Sequence, residues 1–121
     1  MAKRILVVDD QADTRAILRA VLEHNGFEMV ELETAEDMLA EVDAIDPDLV
    51  VLDIKLPGMD GCDALQVLRR RNFDRPVFMF SEFYDLFSQT IQSCRPDAFY
   101  PKSKGPIELV KAIVERLSSA A

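Results

Sequence analysis

Asp9, Asp10, Asp53, Ser81 and Lys102 are the residues of this chain whose types and placement suit a shared chemistry. Each closes or follows a short apolar run: Ile5-Leu6-Val7-Val8, Leu49-Val50-Val51-Leu52, Val77-Phe78-Met79-Phe80 or Ala98-Phe99-Tyr100. Such runs, rich in β-branched and aromatic residues and bounded by turn formers, read as buried parallel strands. In an open α/β sheet the carboxyl ends of the strands border the ligand crevice, at the point where strand order reverses. Three carboxylates converging there repel one another by several kcal/mol at an effective dielectric of ~20, so they take up protons or bind a cation. Hard oxygen donors suit Mg²⁺, which keeps waters and accepts a phosphate partner. Asp53 is then placed as a nucleophile that takes a phosphoryl group to form an aspartyl phosphate. Lys102 neutralises the transferred oxygens from one side and the Ser81 hydroxyl bonds them from the other. Taken singly, each residue has an ordinary reading: turn and helix cap for Asp9-Asp10 and Asp53, strand end for Ser81, solvated cation for Lys102. Their common placement at strand ends decides between the two.

The elements that must hold these residues follow from periodicity. After the first strand, a helix is predicted with Asp13 as N-cap and Ala16, Ile17, Ala20, Val21 and Leu22 inward, ending at Asn25-Gly26. Phe27 to Leu32 reads as an edge strand because it carries Glu28 and Glu31. Thr34 with Asp37 resembles a capping box and opens a helix that buries Met38, Leu39 and Val42 before Pro47. The Asp53 strand comes next, then Pro57-Gly58-Met59-Asp60-Gly61 and a third helix with Ala64, Leu65, Val67 and Leu68 inward. Arg69-Arg70-Arg71 at its end reads as a solvated run suited to the negative end of the helix dipole. A fourth strand ends at Ser81, a weaker helix spans about Tyr84 to Cys94, and the fifth strand stops at Pro101. Gly105-Pro106 opens a last helix with a stripe of Ile107, Val110, Ile113, Val114 and Leu117. Five strands alternating with five helices give a flavodoxin-like, doubly wound (βα)5 fold, with the expected strand order 2-1-3-4-5.

The totals narrow the function. A chain of 121 residues suits one domain with a core of its own, spanning 1–121. Two cysteines, Cys62 and Cys94, are too few for a disulfide framework. No apolar run is long enough for a bilayer, and the stretch after Lys3-Arg4 is too short for a signal peptide. The expectation is a soluble protein of a reducing compartment, the cytoplasm, with no membrane partner. A net charge of −8 argues against a nucleic-acid surface on this chain. His24 and the two thiols are expected to take no part in the acidic site.

With these residues in view, the chain resembles the CheY-like receiver domain of response regulators in bacterial two-component signalling. Val8-Asp9-Asp10, Leu52-Asp53, Leu56-Pro57-Gly58-Met59-Asp60-Gly61, Ser81 and Tyr100-Pro101-Lys102-Ser103 match its pattern, and the resemblance covers nearly every residue. It implies that Asp9, Asp10, Asp53 and the backbone carbonyl of Lys55 hold Mg²⁺, and that Asp53 accepts phosphate from a sensor histidine kinase or phosphotransfer protein. It also implies that Ser81 shifts toward the phosphate while Phe99 turns inward. That movement would reshape the face of the fourth helix, fifth strand and fifth helix for an effector or a second copy. Aromatic residues concentrate there, with Phe83, Tyr84 and Phe87 in the weakest helical stretch. Two positions depart from the pattern. Glu82 stands where receivers usually have a small residue and would crowd or repel incoming phosphate, with Lys55 as its partner across the mouth. Ser103 stands where many receivers have proline. The last helix ends near the end of the chain, which suits a stand-alone receiver or the N-terminal part of a longer regulator.

Other classes fit less well. An FMN-binding flavodoxin needs a phosphate-cradling loop after the first strand, where Asp9-Asp10-Gln11-Ala12-Asp13 would repel one. No G-x-G-x-x-G is present for a dinucleotide. A Mg²⁺-dependent aspartyl-phosphate phosphatase generally wants a second aspartate two residues beyond the nucleophile, where this chain has Lys55. The expectation is a regulatory phosphoacceptor, not an enzyme.

Overall fold

The structure, a computed structural model, describes residues 2–82 and 94–118. The predicted helix from Tyr84, with Phe83, Tyr84 and Phe87, lies outside the described residues. Five strands, β1 (Arg4–Val8), β2 (Glu28–Leu32), β3 (Leu49–Leu52), β4 (Val77–Ser81) and β5 (Ala98–Pro101), form one sheet in the order β2-β1-β3-β4-β5. Every pairing is parallel. Parallel neighbours need crossovers, and among the described residues the helices α1 (Ala12–His24), α2 (Ala35–Ile45) and α3 (Gly61–Arg70) supply them, while a C-terminal helix (Ile107–Ser118) follows β5.

Side chains alternate across the sheet, so each central strand feeds two cores. Leu6, Val8, Val50, Leu52, Val77 and Met79 pack toward α2 and α3 with Met38, Leu65 and Leu68. Ile5, Val7, Leu49, Val51, Phe78 and Phe80 pack toward α1 and the C-terminal helix with Leu18, Leu22, Leu109 and Ile113. Double burial is why these strands read as unbroken apolar runs. Glu28 and Glu31 are tolerated because β2 is an edge strand, and their carboxylates pair with Arg4 and with Arg15 and Arg19.

Thr34 caps α2 as expected, its hydroxyl accepting from the Asp37 amide at 3.1 Å. Asp60 caps α3 in the same way from the Asp63 amide at 2.8 Å. Two stripes differ from the sequence expectation. Gln11, not Asp13, occupies the N-cap of α1 and gives no side-chain cap, while Asp13 sits in the first turn. Leu18 and Leu22 are the buried residues of α1; Ile17 is 52% exposed, and Ala16 and Ala20 face water. In the C-terminal helix Leu109 is buried and Ile107 is 65% exposed. Adjacent stripes on a helix differ by one residue in sequence, and only the sheet beneath selects between them. Pro101 extends β5 rather than stopping it, since it pairs with Ser81 in register at an edge that needs no donor.

Candidate functional site

The sheet reverses direction of growth between β1 and β3, so the crevice opens at their carboxyl ends. Asp9 and Asp53 are the first residues beyond those two strands, and the ladder continues one step past each. The Asp9 amide donates to Leu32 O at 3.1 Å and the Asp53 amide to Val8 O at 3.0 Å. Both side chains are therefore fixed by sheet geometry. The chain after Asp53 is held as closely: the Gly61 amide donates to Ile54 O at 2.7 Å. A Cβ at Gly61 would lie 2.1 Å from the Asp53 carbonyl oxygen, so only glycine lets α3 start this near the strand end. Farther along the loop the Glu36 carboxylate accepts from the Met59 amide at 3.0 Å and fastens the loop to α2.

Asp9, Asp10 and Asp53 meet as expected, each offering an oxygen within 4.8 Å of the others. Asp9 and Asp53 are buried at 2% and 5% exposure, whereas Asp10 reaches solvent. Lys102, just past β5, is the internal counter-charge. Its ammonium donates to Asp9 Oδ2 at 2.8 Å, Asp53 Oδ2 at 2.9 Å and Gln11 Oε1 at 2.9 Å. Burial works against the Lys102 charge, but the bonds to Asp9 and Asp53 outweigh it and its pKa is raised. Burial first, and then the Asp9 charge, hold the Asp53 carboxyl above its ordinary value against the pull of Lys102 and a weaker influence of Ser81. Ser81, at the end of β4, is fully buried beside this group, and among the described residues neither its hydroxyl nor Asp53 Oδ1 meets a partner in hydrogen-bond geometry. Two buried polar atoms left unsatisfied in one place mark a site shaped for something further. The donor set fits a small hard divalent cation: carboxylate oxygens only, an excess of negative charge and one buried oxygen without a partner.

A cleft of about 390 Å³ opens above these groups, lined by Asp10, Gln11, Asp53, Lys55, Leu56, Pro57, Glu82 and Lys102. Lys55 and Glu82 thus border the same mouth. Phe99 lies on β5 opposite Met79, partly buried against the α2–α3 core. Lys102 to Lys104 form a 3₁₀ turn after Pro101. His24 lies exposed at the other end of α1, away from the cleft.

Gln11 is the site residue that sequence reasoning passes over. It bonds Lys102 through its side chain, and its amide donates to Asp9 Oδ1 at 2.9 Å. Its position directly after the acidic pair was the available signal, but a neutral amide at a helix start has no distinctive chemistry alone. The Arg69-Arg70-Arg71 run is also more than a solvated end. Arg69 reaches Asp97 Oδ2 at 2.7 Å and the Phe73 carbonyl at 2.9 Å, and Arg71 reaches the Leu39 carbonyl at 2.6 Å.

Comparison with known proteins meets this geometry. The family model described as the response regulator receiver domain matches residues 5–114. The alkaline phosphatase synthesis transcriptional regulatory protein PhoP of Bacillus subtilis is 32% identical over 100% of this chain and 52% of its own length. The phosphate regulon transcriptional regulatory protein PhoB of Escherichia coli is 35% identical over 100% of this chain and 56% of its own. The chain thus spans about half the length of these curated relatives. Among solved structures, a CheY-like receiver domain protein from Methanospirillum hungatei superposes with a TM-score of 0.88 at 29% identity, covering 98% of this chain and 96% of that one. The response regulator TrrA from Thermotoga maritima, solved in complex with Mg(2+)-BeF, superposes at 0.83 with 30% identity, covering 93% of this chain and 97% of that one.

Proposed function

The chain belongs to the response regulator receiver domain family, and from that premise we propose that it is a phosphoacceptor whose nucleophile is Asp53. The observation that carries the reading is the pairing at Asp53: Lys102 holds one oxygen at 2.9 Å, while the other, among the described residues, is buried without a partner beneath an open cleft. In the reaction an Asp53 carboxylate oxygen attacks phosphorus, the new O–P bond forms, and the P–N bond to a donor histidine breaks, or the P–O bond of a small acyl phosphate. The leaving group departs with the bonding electron pair. The Lys102 ammonium faces the transferred oxygens, and the Ser81 hydroxyl, lacking a bond at rest, donates to one of them. Asp9, Asp10, Asp53 and the Lys55 carbonyl are the groups that would hold Mg²⁺. Bound there, the ion neutralises carboxylates and phosphoryl oxygens that otherwise repel one another.

The partner before transfer is a sensor histidine kinase or phosphotransfer protein. The partner afterwards is an effector protein or domain, or a second copy of the chain, in a cytoplasmic setting. Movement of Ser81 toward the phosphate, with Phe99 turning inward, couples the site to the surface around β5 and the C-terminal helix, a shift between two arrangements. The whole chain 1–121 acts as one receiver domain. Glu82 and Lys55 across the mouth slow entry, so Glu82→Ala accepts phosphate from small donors faster than the parent; an equal or slower rate removes that role. The main test is intact mass after incubation with Mg²⁺ and acetyl phosphate. The parent gains one phosphoryl group and Asp53→Asn gains none; equal gain in both proteins shows the nucleophile to be elsewhere.

A further inference from the structure

Every polar atom of Asp9 is engaged. Its amide donates to Leu32 O at 3.1 Å, its Oδ1 accepts from the Gln11 amide at 2.9 Å and its Oδ2 from Lys102 at 2.8 Å. The remaining atom, the carbonyl oxygen, accepts from Arg15 Nη1 at 2.8 Å. Arg15 ends the first turn of α1, and its side chain is only 12% exposed. Two glutamates aim its guanidinium: Nε donates to Glu31 Oε1 at 2.8 Å and Nη2 reaches Glu33 Oε1 at 3.5 Å. These acceptors flank Leu32, so the strand end that receives the Asp9 amide also directs the arginine. A planar fork with fixed donor directions serves a carbonyl and a carboxylate together, which a single ammonium cannot reproduce. Arg19 shares Glu31, its Nη2 lying 2.6 Å from Oε2, but its other partners among the described residues are Glu23 and the Met29 carbonyl.

We propose that Arg15 is a positioning residue of the phosphoacceptor site: by holding the Asp9 carbonyl it sets the Asp9-Asp10 peptide, and so brings Asp10 to the cation that Asp9 and Asp53 share. A peptide unit is planar, so fixing its oxygen fixes the direction in which the chain leaves toward Asp10. Asp10 is the exposed member of the acidic trio, one residue beyond the bond that ties Asp9 to β2. Its carboxylate therefore depends on this peptide for its place. The cation enters with the receiver reading, whereas the hold on the peptide does not depend on it.

The charge of Arg15 works in the opposite direction. A guanidinium this near the acidic cluster repels a divalent cation, so if charge alone mattered its removal would tighten Mg²⁺ binding. Loss of a fixed ligand direction weakens binding instead. The sign of the change separates the two.

The test compares amide resonances of the parent, Arg15→Met and Arg19→Met, first in EDTA and then, with the chelator removed, through a Mg²⁺ titration. Arg19→Met is the control, since it takes away the same charge and a bond to the same Glu31 while leaving the Asp9 carbonyl with its donor. In EDTA the Asp10 amide should shift in Arg15→Met and stay in place in Arg19→Met. An unmoved Asp10 amide in Arg15→Met, or an equal shift in both variants, overturns the hold on the peptide. In the titration Arg15→Met should bind Mg²⁺ about tenfold more weakly than the parent, the usual cost of losing a group that orients a metal ligand. Arg19→Met should bind as the parent does or more tightly. Equal or tighter binding by Arg15→Met, or the same loss in Arg19→Met, overturns the positioning role. Should Arg15→Met fail to unfold cooperatively in urea, Arg15→Lys is judged by the same signs, because lysine keeps the charge and loses the fork. A parent that takes up no Mg²⁺ overturns the cation part of the receiver reading, and the metal-free shifts still decide whether Arg15 holds the peptide.

Discussion

At the scale of residues, the site is an electrostatic balance with Lys102 at its centre. A carboxyl whose pKa is raised binds its proton, in the folded state, at pH values where the unfolded chain has already released it. For Asp53 in the metal-free protein, the contribution to folding is therefore fully present below the ordinary value of 3.8 and is lost as pH rises through the folded value. Lys102 has the same sign in a higher window: its raised pKa contributes stability below 10.5, lost as pH climbs through its folded value. In EDTA, urea melts should show Asp53→Asn gaining on the parent as pH rises from 4 toward 8, on the order of 1 kcal/mol at the upper end. A gap that does not change with pH would contradict the raised carboxyl. Gln11 supplies one of the three acceptors of the Lys102 ammonium. Gln11→Ala should slow phosphorylation from acetyl phosphate by roughly fivefold, the effect of one hydrogen bond of about 1 kcal/mol, with the far-ultraviolet spectrum unchanged. Asp9, Asp53, Ser81 and Lys102 were legible in the sequence because each closes or follows a strand. Gln11 was not, because its role depends on a lysine that only the fold brings near.

At the scale of elements, the sequence showed where helices lie more clearly than which way they face. In α1 the stripe through Ile17 and the stripe through Leu18 are both apolar, and the position of the β1–β3 surface decides for Leu18. Leu18→Ala should cost about 2–5 kcal/mol in chemical denaturation and Ile17→Ala no more than about 0.5 kcal/mol. Similar losses would contradict the observed face. The Arg69 run shows the reverse limit, since a basic helix end gives no hint of its acceptor. Asp97 Oδ2 accepts from Arg69 and from the Val77 amide at 2.8 Å, joining the end of α3 to the start of β4. Asp97→Ala leaves both donors without this oxygen and should lower stability by about 1–3 kcal/mol.

At the scale of the molecule, the fold was legible because a sheet buried on both faces writes apolar strands between amphipathic helices, and the right-handed crossover leaves few topologies. The order β2-β1-β3-β4-β5 puts β2 at an edge, as its acidic residues suit. What such a pattern does not encode is contact between distant segments, and the bond from Lys102 to Gln11 is of that kind. The output face is a whole-molecule property too. Hydrogen exchange with and without beryllofluoride should differ most between Glu82 and Lys104; a largest change in α1 or α2 would place the output elsewhere.

Ser81 Oγ and Asp53 Oδ1 also set this protein's evolutionary options. Among the described residues both are buried without a partner in hydrogen-bond geometry, so the fold is under-satisfied at the site proposed to react. Ser81→Ala removes a desolvated hydroxyl at little cost in volume and should raise the unfolding free energy by on the order of 1 kcal/mol, seen as a higher melting temperature. Selection for heat resistance alone would accept that change readily, and Asp53→Asn with it. Persistence of serine and aspartate at these positions across a lineage would then record selection for signalling against stability, and a lineage released from signalling should lose them early.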